Sequence, residues 1–231
     1  MLKKIKMSII IILCIPSIIG IGFSSWIIGT LDNILVNGQI DVDTVIESDD
    51  YILLTKEPLG FEYGERGFID SNGNYVKKAS FIVSFEINID NCKKLFEDIS
   101  LAYINIILTH SDNCVFNDNQ GLFDSYVIDN GDPSLEVNYV FQSSVKLNNT
   151  NIFLDSSELK INDNEYSLNF EIGKYFNIDD NISILNLDIS YEWFIDDASN
   201  YFKNNIYPII YDESNHVNKL TLSVSAFVTG N

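Results

Sequence analysis

The chain has 231 residues with 33 aspartates and glutamates against 14 lysines and arginines, a net charge of −19. A field of that sign repels nucleic acid and anionic lipid headgroups, which excludes a polyanion-binding role. The composition, 46% hydrophobic and 13% aromatic, supplies one full core. The length leaves room for one domain of about 200 residues after the N-terminal segment, with two domains cramped.

The N-terminal segment comes first. Lys3, Lys4 and Lys6 precede an uncharged apolar run from Met7 to about Gly29, and the first carboxylate of the chain is Asp32. Basic charge held inside with an apolar stretch behind it directs the remainder across a membrane, so residues 1–30 read as a signal peptide or an N-terminal membrane anchor. Two fates stay open. Gly20 and Gly22 stand at −3 and −1 to a cut before Phe23, whereas Trp26-Ile27-Ile28 extends the run to spanning length. Cys14 is a poor lipidation site because Ile11-Ile12-Leu13 lacks a small residue before it. The expected location is extracellular or on the outer face of the membrane, with the membrane touched only through this segment. Without the three leader lysines, 11 basic residues face 33 acidic ones and leave −22, a charge that keeps an exported protein dispersed.

Residues 31–50 are acidic and read as a stalk, with weak strands near 42–46 and 51–55. Another weak strand at 67–69 meets residues 75–76 through Ser71-Asn72-Gly73-Asn74, a hairpin because Asn and Gly accept positive φ. From Ser80 to Asp90 the apolar residues Phe81, Val83, Phe85, Ile87 and Ile89 alternate with polar ones, the mark of a half-buried strand. A short helical turn is expected over 91–98. Residues 101–109 are apolar on both faces and predict a central strand. Alternation returns at 135–147, at 166–172 after an Asn162-Asp163-Asn164 turn, at 185–193 and at 220–228. A second short helix, capped by Asp196 or Asp197, is expected over 196–204. One buried face per strand predicts an all-β fold, an antiparallel two-sheet β-sandwich over 51–231, jelly-roll-like and preceded by the N-terminal helix.

Export permits a bridge between Cys92 and Cys114. If the strands they follow form a simple hairpin, however, the two lie about 30 Å apart at its opposite ends. A crossover would bring them together, so a disulfide and two buried thiols both remain open.

Candidate chemistry is sparse. Asp70 to Asn74 offers oxygens at alternate positions, but Phe81 stands where the closing acid of an EF-hand would be. The long polar loop 112–132 is the calcium candidate, with Asp112, Asp118, Asp124, Asp129 and Asp132 around Gly121 and Gly131. His110 and His216 are the only histidines, and His110-Ser111-Asp112 cannot act as a triad because strand neighbours alternate faces. The sequence contains no Gly-x-Ser-x-Gly elbow and no His-Glu-x-x-His pair. These features argue against an enzyme. A glycosidase would need two carboxylates about 5 to 9 Å apart, for which Glu86, Glu171 and Glu192 are the outward-facing candidates. Trp193, Tyr201 and Tyr207 are candidates for an exposed aromatic patch that stacks on sugar rings.

The leader closing on Gly20, Gly22, Phe23 and Ser24, followed by an acidic β-sandwich ending on the strand 220–228, resembles the camelysin and TasA-like exported proteins of Gram-positive bacteria. That resemblance implies a jelly-roll-like sandwich and a role in biofilm matrix fibres or on the cell surface. In this chain Trp26 follows Ser25, where the family's leader typically continues Tyr-Phe-Ser-Asp after small residues. The expected function is that of a noncatalytic surface or extracellular matrix protein working by protein–protein interaction or self-assembly. Its partners would be other copies or surface proteins, with residues 30–50 as a strand donor. The alternative is a carbohydrate-binding adhesin, calcium-dependent through the 112–132 loop.

Overall fold

The computed structural model describes residues 38–40, 42–47, 51–56, 58–96, 98–112, 114, 116, 121–128, 136–162, 164–178, 181–196 and 200–230. Residues 1–30, expected to be a leader, with Cys14, and the calcium candidates Asp118, Asp129 and Asp132 lie outside these residues. The chain divides into two compact units, Met1–Gly38 and Gln39–Asn231, and every described residue after Gly38 belongs to the second. No helix among the described residues is long and apolar enough to cross a membrane.

Strands β1 (Gly38–Ile40), β2 (Val42–Glu47) and β3 (Ile52–Lys56) open the fold, followed by β4 (Phe61–Gly64), β5 (Gly67–Ile69) and β6 (Tyr75–Val76). The long strand β7 (Lys78–Asn88) runs into helix α1 (Ile89–Leu95) and a 3-10 turn (Ile99–Leu101) before β8 (Tyr103–His110). Next come β9 (Tyr126–Ile128), β10 (Val137–Leu147) and β11 (Thr150–Ile152), then a 3-10 turn (Ser156–Glu158). Strands β12 (Leu159–Asn162) and β13 (Glu165–Glu171) lead through α2 (Ile172–Tyr175) to β14 (Ile184–Ile195). A π-helical turn (Phe202–Ile206) continues as α3 (Tyr207–Ile210), and β15 (Tyr211–Asp212), β16 (Val217–Asn218) and β17 (Leu222–Thr229) finish the chain.

Two main sheets result. One runs β11-β10-β14-β7-β3, with β9 also on β10, and the other runs β12-β13-β8-β17-β2. Their inner faces are the apolar registers read from the sequence: Phe81, Val83, Phe85 and Ile87 of β7 are buried, as are Leu185, Leu187, Ile189 and Tyr191 of β14. Across the interior, Tyr166 of β13 meets Phe141 of β10 and Tyr191 of β14 at ring-centroid distances of 5.4 and 6.0 Å. A smaller sheet, β1-β4-β5-β6, caps the aromatic end of this core, where Phe68 packs on Trp193 and Phe202 at 5.1 and 5.3 Å.

The turns follow their residues. In the 71–74 hairpin Gly73 has φ +80°, and the Asp70 carboxylate accepts from the backbone N–H groups of Asn72 and Asn74, each at 2.9 Å. Those bonds hold the Asp70 carboxyl below the usual carboxylate range. Asn148 and Asn149, at φ 44° and 64°, form the two-residue link between β10 and β11, the positive pair that a tight hairpin needs.

The structure corrects several expectations. The first and last strands of the main sheets, β2 and β17, pair in parallel with a register shift at Leu222/Ser223, so the sandwich is not wholly antiparallel. Residues 42–47, where a weak strand was expected within the acidic segment, form an edge strand of the five-stranded sheet, in keeping with their β-branched Val42, Thr44, Val45 and Ile46. Strands β7 and β8 lie in different sheets because α1 and the 3-10 turn carry the chain across the sandwich, which removes the hairpin assumed for Cys92 and Cys114. Both are buried free thiols, and burial pushes the Cys92 thiol up to about 11. Of the helix expected over 196–204, residues 201–204 are helical, while Asp196 still belongs to the end of β14, its N–H bonded to the Asn138 carbonyl at 2.9 Å.

Candidate interaction site at the sheet edges

Trp193 is 3% exposed and sits against Phe61, Phe68 and Tyr139, while Tyr207 is 8% exposed and packs on Tyr63 and Tyr211. Tyr201 alone of the three is half-buried. The expected exposed patch is thus an internal cluster: the β4–β5 hairpin covers Trp193, and no ring face of it is open to a sugar. Adjacent Phe194 takes the outward position, half-buried.

Of the calcium candidates, Asp112 and Asp124 are described. The Asp112 carboxylate accepts from the Asn164 amide at 3.2 Å, and the Asp124 carboxylate from the Gly121 N–H at 2.7 Å. Among the described residues no three His, Cys, Asp or Glu side chains are grouped to hold a metal. The outward glutamates are not brought together either. Glu171 is on β13 of the other sheet, and the register sets Glu86 and Glu192 six residues apart along the β7–β14 ladder, about 20 Å. Glu192 instead pairs with Lys78 at 2.9 Å and accepts from Gln142 at 3.1 Å.

Two edges carry unusual geometry. At the first, residues 38–47 edge two sheets in succession, β1 beside β4 and β2 beside β17. Ile40, 1% exposed, anchors this strap in the core. At the second, the chain crosses from β11 to β12 over residues 153–158, and a cleft of about 440 Å³ opens there between the two sheets. Its floor holds the Ser143 and Tyr166 hydroxyls, 3.0 Å apart. Its rim is pinned. The Asp155 N–H donates to the Glu158 carboxylate at 2.7 Å, and Lys174 bridges Asp155 and Glu158 at 2.5 and 3.0 Å. The Tyr175 hydroxyl also donates to Glu158. Burial alone would raise the Glu158 pKa, but the bonds from Tyr175, the Asp155 N–H and Lys174 outweigh it and hold the carboxyl below its usual range. Phe153, carried on this rim, is 87% exposed. Phe153 leaves no mark in the sequence, because one phenylalanine between strands carries no periodic signal.

No protein-family model matches the chain, and no curated protein does. Among solved structures, the pilus backbone RrgB from Streptococcus pneumoniae aligns at 9% identity over 51% of this chain, with a TM-score of 0.27. The alignment spans 20% of that protein's length, and the score is too low to establish a common fold.

Proposed function

We propose that the chain is a noncatalytic, exported surface or matrix protein that associates with other copies by exchanging its N-terminal strap. The observation that carries this reading is the parallel pairing of β2 with β17 at the edge of the five-stranded sheet. The strap enters from the leader side and joins the rest of the sandwich through the four residues between Glu47 and Ile52. Lifting it out would expose the backbone edge of β17, and an edge of that kind accepts an equivalent strand from a neighbour. Donor and acceptor are different surfaces, so an exchange that is not reciprocated within a pair runs head-to-tail and builds chains of copies. The leader and the −22 charge of the remainder fit a protein released or displayed outside the cell.

Cross-linking tests it. Thr44 and Ser223 are partners in the β2–β17 ladder. The full chain carrying Thr44→Cys and Ser223→Cys, with Cys14→Ser, is oxidised at rising protein concentration and run on a denaturing gel. A ladder of covalent oligomers that grows with concentration is expected, and neither single-cysteine variant should give bands beyond a dimer. Cross-links confined within each chain at every concentration would overturn the exchange.

A further inference from the structure

The cleft between β11 and β12 has no part in strand exchange, and its chemistry points to a small ligand. We propose that it binds a short neutral saccharide, with Phe153 as the stacking platform at its mouth.

Three observations bear on the ligand class. The first is the break in the edge of β10. Strand β9 pairs residues 137–139 and β11 pairs residues 145–147, and among the described residues no strand lies beside residues 140–144 on that side. Within the break, Ser125 Oγ already bridges the Phe141 N–H and carbonyl, each at 3.2 Å. What remains around Ser143 and Ser144 is too short for an added peptide strand, which needs a run of free backbone groups. It suits a compact ligand with its own donors and acceptors.

The second is the mixed lining. Ser144, Asn151 and Ser156 present exposed hydroxyl and amide groups, while Val145, Leu159 and Leu168 supply an apolar wall. A pyranose ring has the same division, with hydroxyls around its edge and C–H groups on its faces. The volume of about 440 Å³ falls within the range of small-molecule sites.

The third is the exposed ring itself. Phe153 at 87% exposure is the most exposed of the large hydrophobic side chains described, and it sits on a turn fixed by the Lys174–Asp155–Glu158 bonds. An aromatic face already open to solvent stacks on the C–H face of a sugar ring without first having to be uncovered. Charge settles the remaining choice: a chain at −19 whose cleft rim carries Asp155 disfavours acidic sugars.

The test is a nuclear magnetic resonance titration of the isotope-labelled full chain with chitotriose, cellotriose, xylotriose and maltotriose at millimolar concentration. At least one is expected to shift resonances of the cleft residues. Phe153→Ala should weaken that binding about fivefold or more. Val127→Ala, which removes another exposed apolar side chain, should leave it unchanged. Phe153→Ala removes no buried contact, so a folding defect does not confuse the result. The proposal is overturned by no binding to any of the four sugars or by binding indifferent to Phe153→Ala. It is equally overturned if Phe153→Ala changes only the size of the particles, which would assign the ring to a protein contact. The cross-linking ladder reads β2 and β17 alone, so either proposal can fail without the other.

Discussion

Tyr139 and Tyr191 are both fully buried, and they differ in what their hydroxyls do. The Tyr139 hydroxyl donates to the Leu122 carbonyl at 2.8 Å, whereas the Tyr191 hydroxyl has no hydrogen-bond partner among the described residues. Burial raises both phenol pKa values, so neither group ionises near neutral pH. A buried polar group without a partner loses its water contacts for no return. Tyr191→Phe should therefore leave the fold as stable or stabilise it by about 1 kcal/mol, while Tyr139→Phe should cost about 1 kcal/mol. Urea denaturation of the two variants decides it, and the reverse order would show that the Tyr191 hydroxyl is the satisfied one. The side on which these rings lie was legible in the sequence, because a period of two fixes the face of each strand residue. What covers a ring was not legible. Trp193 stood in the inward register, yet its burial depends on Phe61 and Phe68 from a hairpin more than a hundred residues earlier in the chain.

Turns were the legible part at the scale of elements. The Asn72-Gly73 hairpin and the Asn162–Asn164 turn both fall between the strands they were expected to join, since their chemistry is local. The Ser156–Glu158 turn is closed locally by the bond from the Asp155 N–H to the Glu158 carboxylate, whereas the bonds from Lys174 and Tyr175 of α2 that pin it were not legible in the sequence. Those bonds give the turn a pH dependence. The Glu158 carboxyl is lowered from its ordinary 4.5, so its contribution is fully present above that value and is lost as pH falls through the lowered one. Lys174 is raised above its ordinary 10.5, so its contribution is present below that value and is lost only as strongly alkaline pH passes the raised one. Both act at neutral pH. Glu158→Gln should cost about 1 kcal/mol near pH 7, and the gap from wild type should narrow as pH falls below the ordinary carboxylate value and through the lowered one. Urea midpoints across that range measure it. A gap that stays constant would mean that the ionised carboxylate contributes nothing.

At the scale of the whole molecule, the decisive pairing joins strands about 180 residues apart, β2 and β17. A pairing of that separation leaves no local mark in the sequence, which is why the weak strand near 42–46 was legible while its place beside β17 was not. It also closes the longest loop of the five-stranded sheet, and long loops are closed at an entropic cost before their contacts stabilise anything. As an edge strand paired in its sheet with β17 alone among the described residues, β2 can be released while the two sheets stay packed, and Ile40 is the strap's anchor, 1% exposed. Ile40→Ala should lower stability by about 2–4 kcal/mol through the lost burial and the cavity left behind. In the Thr44→Cys, Ser223→Cys background it should also raise the fraction of covalent oligomers at a given concentration, because freed straps can pair in trans. Ile106→Ala on the central strand β8 provides the comparison, since Ile106 is fully buried and far in sequence from the strap. Equal destabilisation at β8 should leave the ladder unchanged if release of the strap drives assembly. Should both variants raise the ladder alike, cross-linking would follow global unfolding, and the edge formed by β2 and β17 would be a structural closure alone.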